Sequence, residues 1–178
     1  MEREYAERML RHYAEATPET REAGREWYRR AQREARRMAR EHGTRVSTAA
    51  GVIAALSPNV AWAVNVRGAE RVLAGEATGI AGFGVNVGKA RAIAAGARPL
   101  DVLRGPKVTR FYRAIMGAPD AAVVDMWMIR SAGEDENACP KARVDAIRRS
   151  LDIAAAVVGE RVTDFQAIVW THVRGSAE

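Results

Sequence analysis

At 178 residues and 48% hydrophobic, the chain is long enough to bury a real core and reads as one domain, 1–178. Its apolar runs break at Gly, Pro, Asn or charge well short of the roughly 20 residues that span a bilayer. The charged N-terminal MEREYAERMLRHY is not a secretory signal, and the lone Cys139 excludes an intramolecular disulfide or a cysteine-only cluster. The expectation is a cytoplasmic monomer with no membrane partner and no cofactor. A net charge of +6 favours a polyanionic partner, nucleic acid above all, because neutralised phosphates release counterions. Codon bias in a GC-rich genome is the competing explanation, since 25 of the 28 basic residues are arginine. Lys89, Lys107 and Lys141 are the only lysines, so each can be weighed singly.

Residues 2–15 predict a helix with Tyr5, Met9 and Leu10 on one side. Thr17-Pro18-Glu19-Thr20 opens the next, with Thr17 as N-cap and Pro18 at the first position. That helix runs to about His42 and stops at Gly43. Its arginines alternate with glutamates at helical spacing, the pattern of a solvated, self-paired surface, with a nucleic-acid face as the alternative. Trp27, Tyr28, Ala31 and Met38 form its buried stripe.

Residues 44–56 predict a mostly apolar, central helix, with Ser47 and Thr48 as caps. Ser57-Pro58-Asn59 ends it. Residues 60–74 predict a helix with Trp62, Val66, Ala69, Val72 and Leu73 inward. Gly79 to Gly88, GIAGFGVNVG, reads as loop; no strand precedes it, so it is not a nucleotide-binding fingerprint. Residues 89–95 and 99–103 predict short helical pieces, and 108–116 an amphipathic run. The apolar segment after Gly117-Ala118-Pro119-Asp120 delivers Asp125, which suits an N-cap for a helix starting at Met126. Residues 143–158 and 164–174 complete the set, the last capped by Thr163 and carrying Phe165, Ile168, Val169 and His172 at helical spacing. No stretch alternates with period two, so the fold class is all-α. His12, His42 and His172 are too scattered in sequence to suggest a metal site.

Four stretches resemble, in order, those of the helix-hairpin-helix (HhH-GPD) DNA glycosylase superfamily, endonuclease III-like. IAALSPNVAWAVNVRGA (53–69) is similar to the family's Leu-Ser-x-Gln segment and following helix. GKARAI (88–93) looks like its Lys-Ala-x-x-Ile helix. LRGPK (103–107) occupies the hairpin position, and VDMWMIR (124–130) looks like its Val-Asp-x-x-x-x-Arg segment. Lys107 and Asp125 are eighteen residues apart, the interval between the family's catalytic lysine and aspartate.

The resemblance implies a two-lobed helical fold, with a hairpin-bearing lobe over 47–147 and a second lobe from 1–46 and 148–178. It implies that Asp125 is the catalytic aspartate and Lys107 the Schiff-base lysine of members with lyase activity. Asn59 stands at the position of a base-replacing glutamine, and Gly105 in the phosphate-binding hairpin. Arg104, Lys89 and Arg110 are the accompanying DNA-contact candidates; Trp127, Trp62 and Gln166 are the pocket candidates. The chain departs from the family in having Leu103 where a second hairpin glycine stands, Pro106 in the turn, Met126-Trp127 after the aspartate and no iron–sulfur cluster. No metal ligands are expected.

The implied activity is a DNA glycosylase that flips a modified or damaged nucleotide and cleaves its N-glycosidic bond, with Lys107-dependent AP lyase activity as an extension. An alternative is DNA base modification. Some phage proteins similar to this superfamily, amino-acid:DNA transferases or glutamyl- and putrescinyl-thymine pyrophosphorylases, act on an activated thymine. A third reading is a non-catalytic DNA-binding protein.

Overall fold

A computed structural model describes residues 1–175, and among them all regular structure is α-helical. Ten helices follow in order: α1 Glu2–Glu15, α2 Pro18–Glu41, α3 Val46–Leu56, α4 Trp62–Leu73, α5 Gly84–Ala94, α6 Pro99–Val102, α7 Pro106–Ile115, α8 Met126–Ser131, α9 Lys141–Val158 and α10 Val162–Arg174. None is long and apolar enough to cross a membrane. The chain divides into two compact units. One combines residues 1–29 with the described residues from 118; the other is residues 30–117, with the boundary inside α2. The resemblance had placed the breaks at 46/47 and 147/148.

In the first unit, Tyr5, Ala6 and Met9 of α1 pack with Met128 of α8, Ile147, Leu151 and Ala154 of α9, and Phe165 and Val169 of α10. These residues recur at three- and four-residue spacing, so each helix turns one apolar stripe inward. Gly24 of α2 allows a closer approach still: a Cβ there would lie 2.6 Å from the Ile168 Cα of α10. The rim is tied by charge. Glu134 accepts from the Tyr5 hydroxyl and from Arg143, each at 2.5 Å. The Tyr5 bond, then the Arg143 bond, hold its carboxyl below the usual range.

The second unit is wrapped around α3, whose Ala49 to Leu56 are all buried. A helix apolar on every side must be covered on every side. Ala90 and Ile93 of α5, Ala69 and Val72 of α4, and Phe111, Tyr112, Ala114 and Ile115 of α7 are the buried apolar side chains of helices packed on it. Gly51 lets Pro99 of α6 approach, since a Cβ would lie 2.8 Å from the proline ring. Asn65, buried in α4, donates from Nδ2 to the Ile53 carbonyl at 3.1 Å and so serves the otherwise open end of α3.

Several local expectations are corrected. Residues 84–88 are helix, not loop, because α5 packs along α3 and tertiary burial outweighs the propensity cost of Gly84 and Gly88. Ser47 and Thr48 lie inside the first turn of α3, and the N-cap is Arg45 with no side-chain bond. Thr163 is also inside its helix; it is buried, and its N–H donates to the Pro119 carbonyl at 3.1 Å. α7 starts at Pro106, two residues before the amphipathic run. Thr17 does cap α2, accepting from the Thr20 N–H at 3.2 Å.

Two outcomes follow. Gly24→Ala should lose about 1–3 kcal/mol by overpacking against Ile168, measured by chemical denaturation. Glu134 has a lowered folded pKa, so its contribution is present above its ordinary value of 4.5 and is lost as pH falls through the folded value. The melting temperatures of wild type and Glu134→Gln should therefore converge as pH is lowered from 6 toward about 3.

Candidate active site

The buried run Ala121, Ala122 and Val123 carries the chain to Asp125. The start of this approach is pinned twice: Arg148 donates to the Asp120 carbonyl at 2.6 Å, and the Thr163 N–H donates to the Pro119 carbonyl. Asp125 is the N-cap of α8. Its Oδ1 accepts from the Trp127 and Met128 N–H groups, both at 3.0 Å. Its Oδ2 accepts from the Trp170 indole Nε1 of α10, also at 3.0 Å. Both carboxylate oxygens are thereby fixed by donors from two helices.

Aromatic groups surround this carboxylate. The Trp27 ring meets Trp170 edge to face at 5.7 Å and Tyr28 at 4.9 Å. Tyr28 is buried and donates its hydroxyl to Gln166 Oε1 at 2.8 Å. Burial first, and the Asp125 charge second, push the Tyr28 phenol far above its ordinary pKa, so it stays a neutral donor. Arg130 lies over the Trp127 ring at 4.6 Å and pairs with Glu136, whose carboxyl is held down to about 2 chiefly by that bond. Arg174 lies over Trp170 at 4.7 Å.

Of the sequence candidates, Asp125, Trp127 and Gln166 therefore belong to one neighbourhood in the first unit. Trp170, one turn from Gln166 on α10, joins them through its indole N–H, which needs an acceptor when its ring is packed. The remaining candidates lie in the second unit. Leu103 is buried beneath the α6–α7 connection, while Arg104, Gly105, Pro106 and Lys107 are exposed. Gly105 has φ 87°, and a Cβ there would meet nothing, so backbone conformation alone requires glycine. Lys107 is the second residue of α7 and makes no hydrogen bond or ion pair among the described residues. Arg110 follows on the same helix and Lys89 lies half-buried in α5.

Asn59 is exposed with φ 59°, the one non-glycine positive φ among the described residues. Asparagine tolerates this left-handed conformation better than most side chains. It lines an open depression of about 380 Å³ with Pro58, Val60, Val64, Gly82 and Phe83. Phe83 is 60% exposed. Its exposure on this rim gave no signal in the sequence, where glycines flank it. Trp62 stands at the first position of α4, directly after this turn.

These features define an all-helical protein with a carboxylate held among aromatic rings. The chain belongs to the family described as "Family of unknown function (DUF7178)", whose model matches residues 1–177. No curated protein and no solved structure gives a significant match.

Removing the indole donor should loosen the carboxylate without emptying the site. Trp170→Tyr is expected to destabilise by about 1–3 kcal/mol, counting the lost bond and imperfect repacking. Asp125→Ala should cost about 0.5–2 kcal/mol through the lost cap alone, with a further penalty for the orphaned indole N–H. Urea denaturation of both variants beside wild type checks the order.

Proposed function

We propose that the protein is a DNA glycosylase-like enzyme of the helix-hairpin-helix type. It binds duplex DNA, draws a modified or damaged nucleotide out of the stack and cleaves its N-glycosidic bond. The observation that carries this reading is the Asp125 carboxylate, held by three donors beside Trp127, Trp170 and Tyr28. As the bond between C1′ and the base nitrogen breaks, its electron pair leaves with the base and positive charge grows on the sugar. A carboxylate already oriented by fixed donors stabilises that charge without reorganising. The aromatic surroundings offer faces against which an extruded base can stack.

The α6–α7 connection supports the DNA-binding part. The N–H groups of Lys107 and Val108 open α7 and have no intrahelical acceptor, which suits a phosphate. Pro106 contributes no donor, so this grip has fewer backbone bonds than a two-glycine hairpin. Asn59, where the resemblance puts a base-replacing side chain, stands at the rim of an open depression beside exposed Phe83. Lys107 would contact phosphate or attack C1′ as an amine. Its exposure favours the first role, because imine-forming lysines usually rely on surroundings that depress their charge. The altered hairpin, with Leu103 and Pro106 in it, keeps base modification, with the glycosidic bond left intact, as the second reading.

The test is base release from duplex DNA carrying a panel of modified bases, together with borohydride trapping on an abasic site. Wild type, Lys107→Ala and Asp125→Asn are compared. Asp125→Asn should lower base release by about 10²–10³-fold while DNA binding persists. A crosslink that disappears in Lys107→Ala would assign the amine; base release without a crosslink would mean a monofunctional enzyme. Absence of base release across the panel, with DNA binding indifferent to Asp125→Asn, would overturn the glycosylase reading. Pyrophosphate release on a pyrophosphorylated-thymine substrate would then identify the transferase.

A further inference from the structure

The histidines that are scattered in sequence do not all remain so in space. The rings of His12 on α1 and His172 on α10 have centroids 5.8 Å apart and are tilted by 46°. Glu15, one turn after His12, reaches both: its Oε2 lies 3.5 Å from His172 Nε2 and 4.0 Å from His12 Nδ1. One ligand atom from each of the three residues can be chosen so that all lie within 4.8 Å of one another. We propose that His12, Glu15 and His172 form a binding site for one divalent transition-metal cation of the zinc type, clamping α1 to α10.

The donor set decides the class of ion. Two imidazoles and one carboxylate suit a borderline metal such as Zn²⁺, whereas Ca²⁺ and Mg²⁺ prefer oxygen-only sites. A tetrahedral zinc about 2.0–2.1 Å from each ligand brings the ligand atoms to about 3.3 Å separation. The required closure is about 1.5 Å at most, within reach of side chains that are 33%, 64% and 28% exposed for His12, Glu15 and His172. That exposure leaves the fourth position open to water.

Glu15 supplies the negative charge of the donor set, while Arg11, next to His12 in the chain, opposes a cation. α10 also carries Trp170, so the clamp would brace the helix that holds Asp125.

The test uses the full-length, metal-free chain without a histidine tag. Calorimetric titration with ZnCl₂ should give one saturable site. Zinc at about 100 times its dissociation constant should raise the melting temperature by about 5–10 °C. Affinity should fall at least tenfold in His12→Gln, in His172→Gln and in Glu15→Gln, the last an exposed substitution that leaves the core intact. His42→Gln should bind as wild type does. Binding should weaken below about pH 6 as protons compete for the imidazoles. X-ray absorption at the zinc edge should report two imidazole nitrogens. Failure to saturate at one zinc, or equal affinity in wild type and Glu15→Gln, would overturn the site. None of these readouts depends on DNA or on catalysis.

Discussion

Asp125 ends one helix and anchors another. Its Oδ1 satisfies two of the open N–H groups of α8, and its Oδ2 reaches the indole of α10. Without a side-chain acceptor at this position, a six-residue helix would begin with unpaired donors beside an apolar core. The cap and the proposed chemistry thus ask the same thing of the carboxylate, which is to stay oriented among fixed donors. The structural role and the proposed catalytic one would not compete, because the three bonds that hold the group in place would also keep it oriented toward positive charge.

The second unit follows a different constraint. α3 is apolar all round, so α4, α5, α6 and α7 are arranged by the need to cover it. Gly51 sets how closely α6 approaches, and Asn65 settles the carbonyl left open at the end of α3. The exposed features of the unit, the Asn59 turn and the Arg104–Lys107 connection, are the places where the chain leaves that cover. Rigid helices thereby present short, conformationally restricted turns, one with asparagine and one with glycine at positive φ.

Most helices were legible in the sequence because burial follows helical spacing. Tyr5 and Met9, Ile147 and Leu151, and Phe165 and Val169 all face inward as their periodicity requires. What escaped was set by tertiary contact. Gly84 and Gly88 gave no local sign of helix, and the helix there follows from packing against α3. Thr163 had the composition of a cap but sits in the first turn of α10. Gly24 lies within a charged helix, and its missing side chain is what admits Ile168. At the site, Asp125 could be found from its apolar flanks and its fit to an N-cap, and Trp127 lay next to it. The bond from Trp170 joins residues 45 positions apart, and no local pattern encodes it. His12 and His172 lie still further apart in the chain, and only the packing of α1 on α10 brings them together.

The division of the chain also bears on its synthesis. Residues 30–117 form a continuous unit, whereas the first unit needs residues 1–29 and the described residues from 118. On the ribosome, the α3-centred unit is complete in sequence before α8, α9 and α10 exist. Compact units fold as they emerge, and long-range closure is slow. The α1 stripe of Tyr5, Ala6 and Met9 therefore waits, uncovered by its native partners, while some ninety residues are made. The charges of α1 and of the start of α2 give that waiting segment a polar face, with Arg25 and Arg29 already able to pair with Glu22 and Glu26 one turn away.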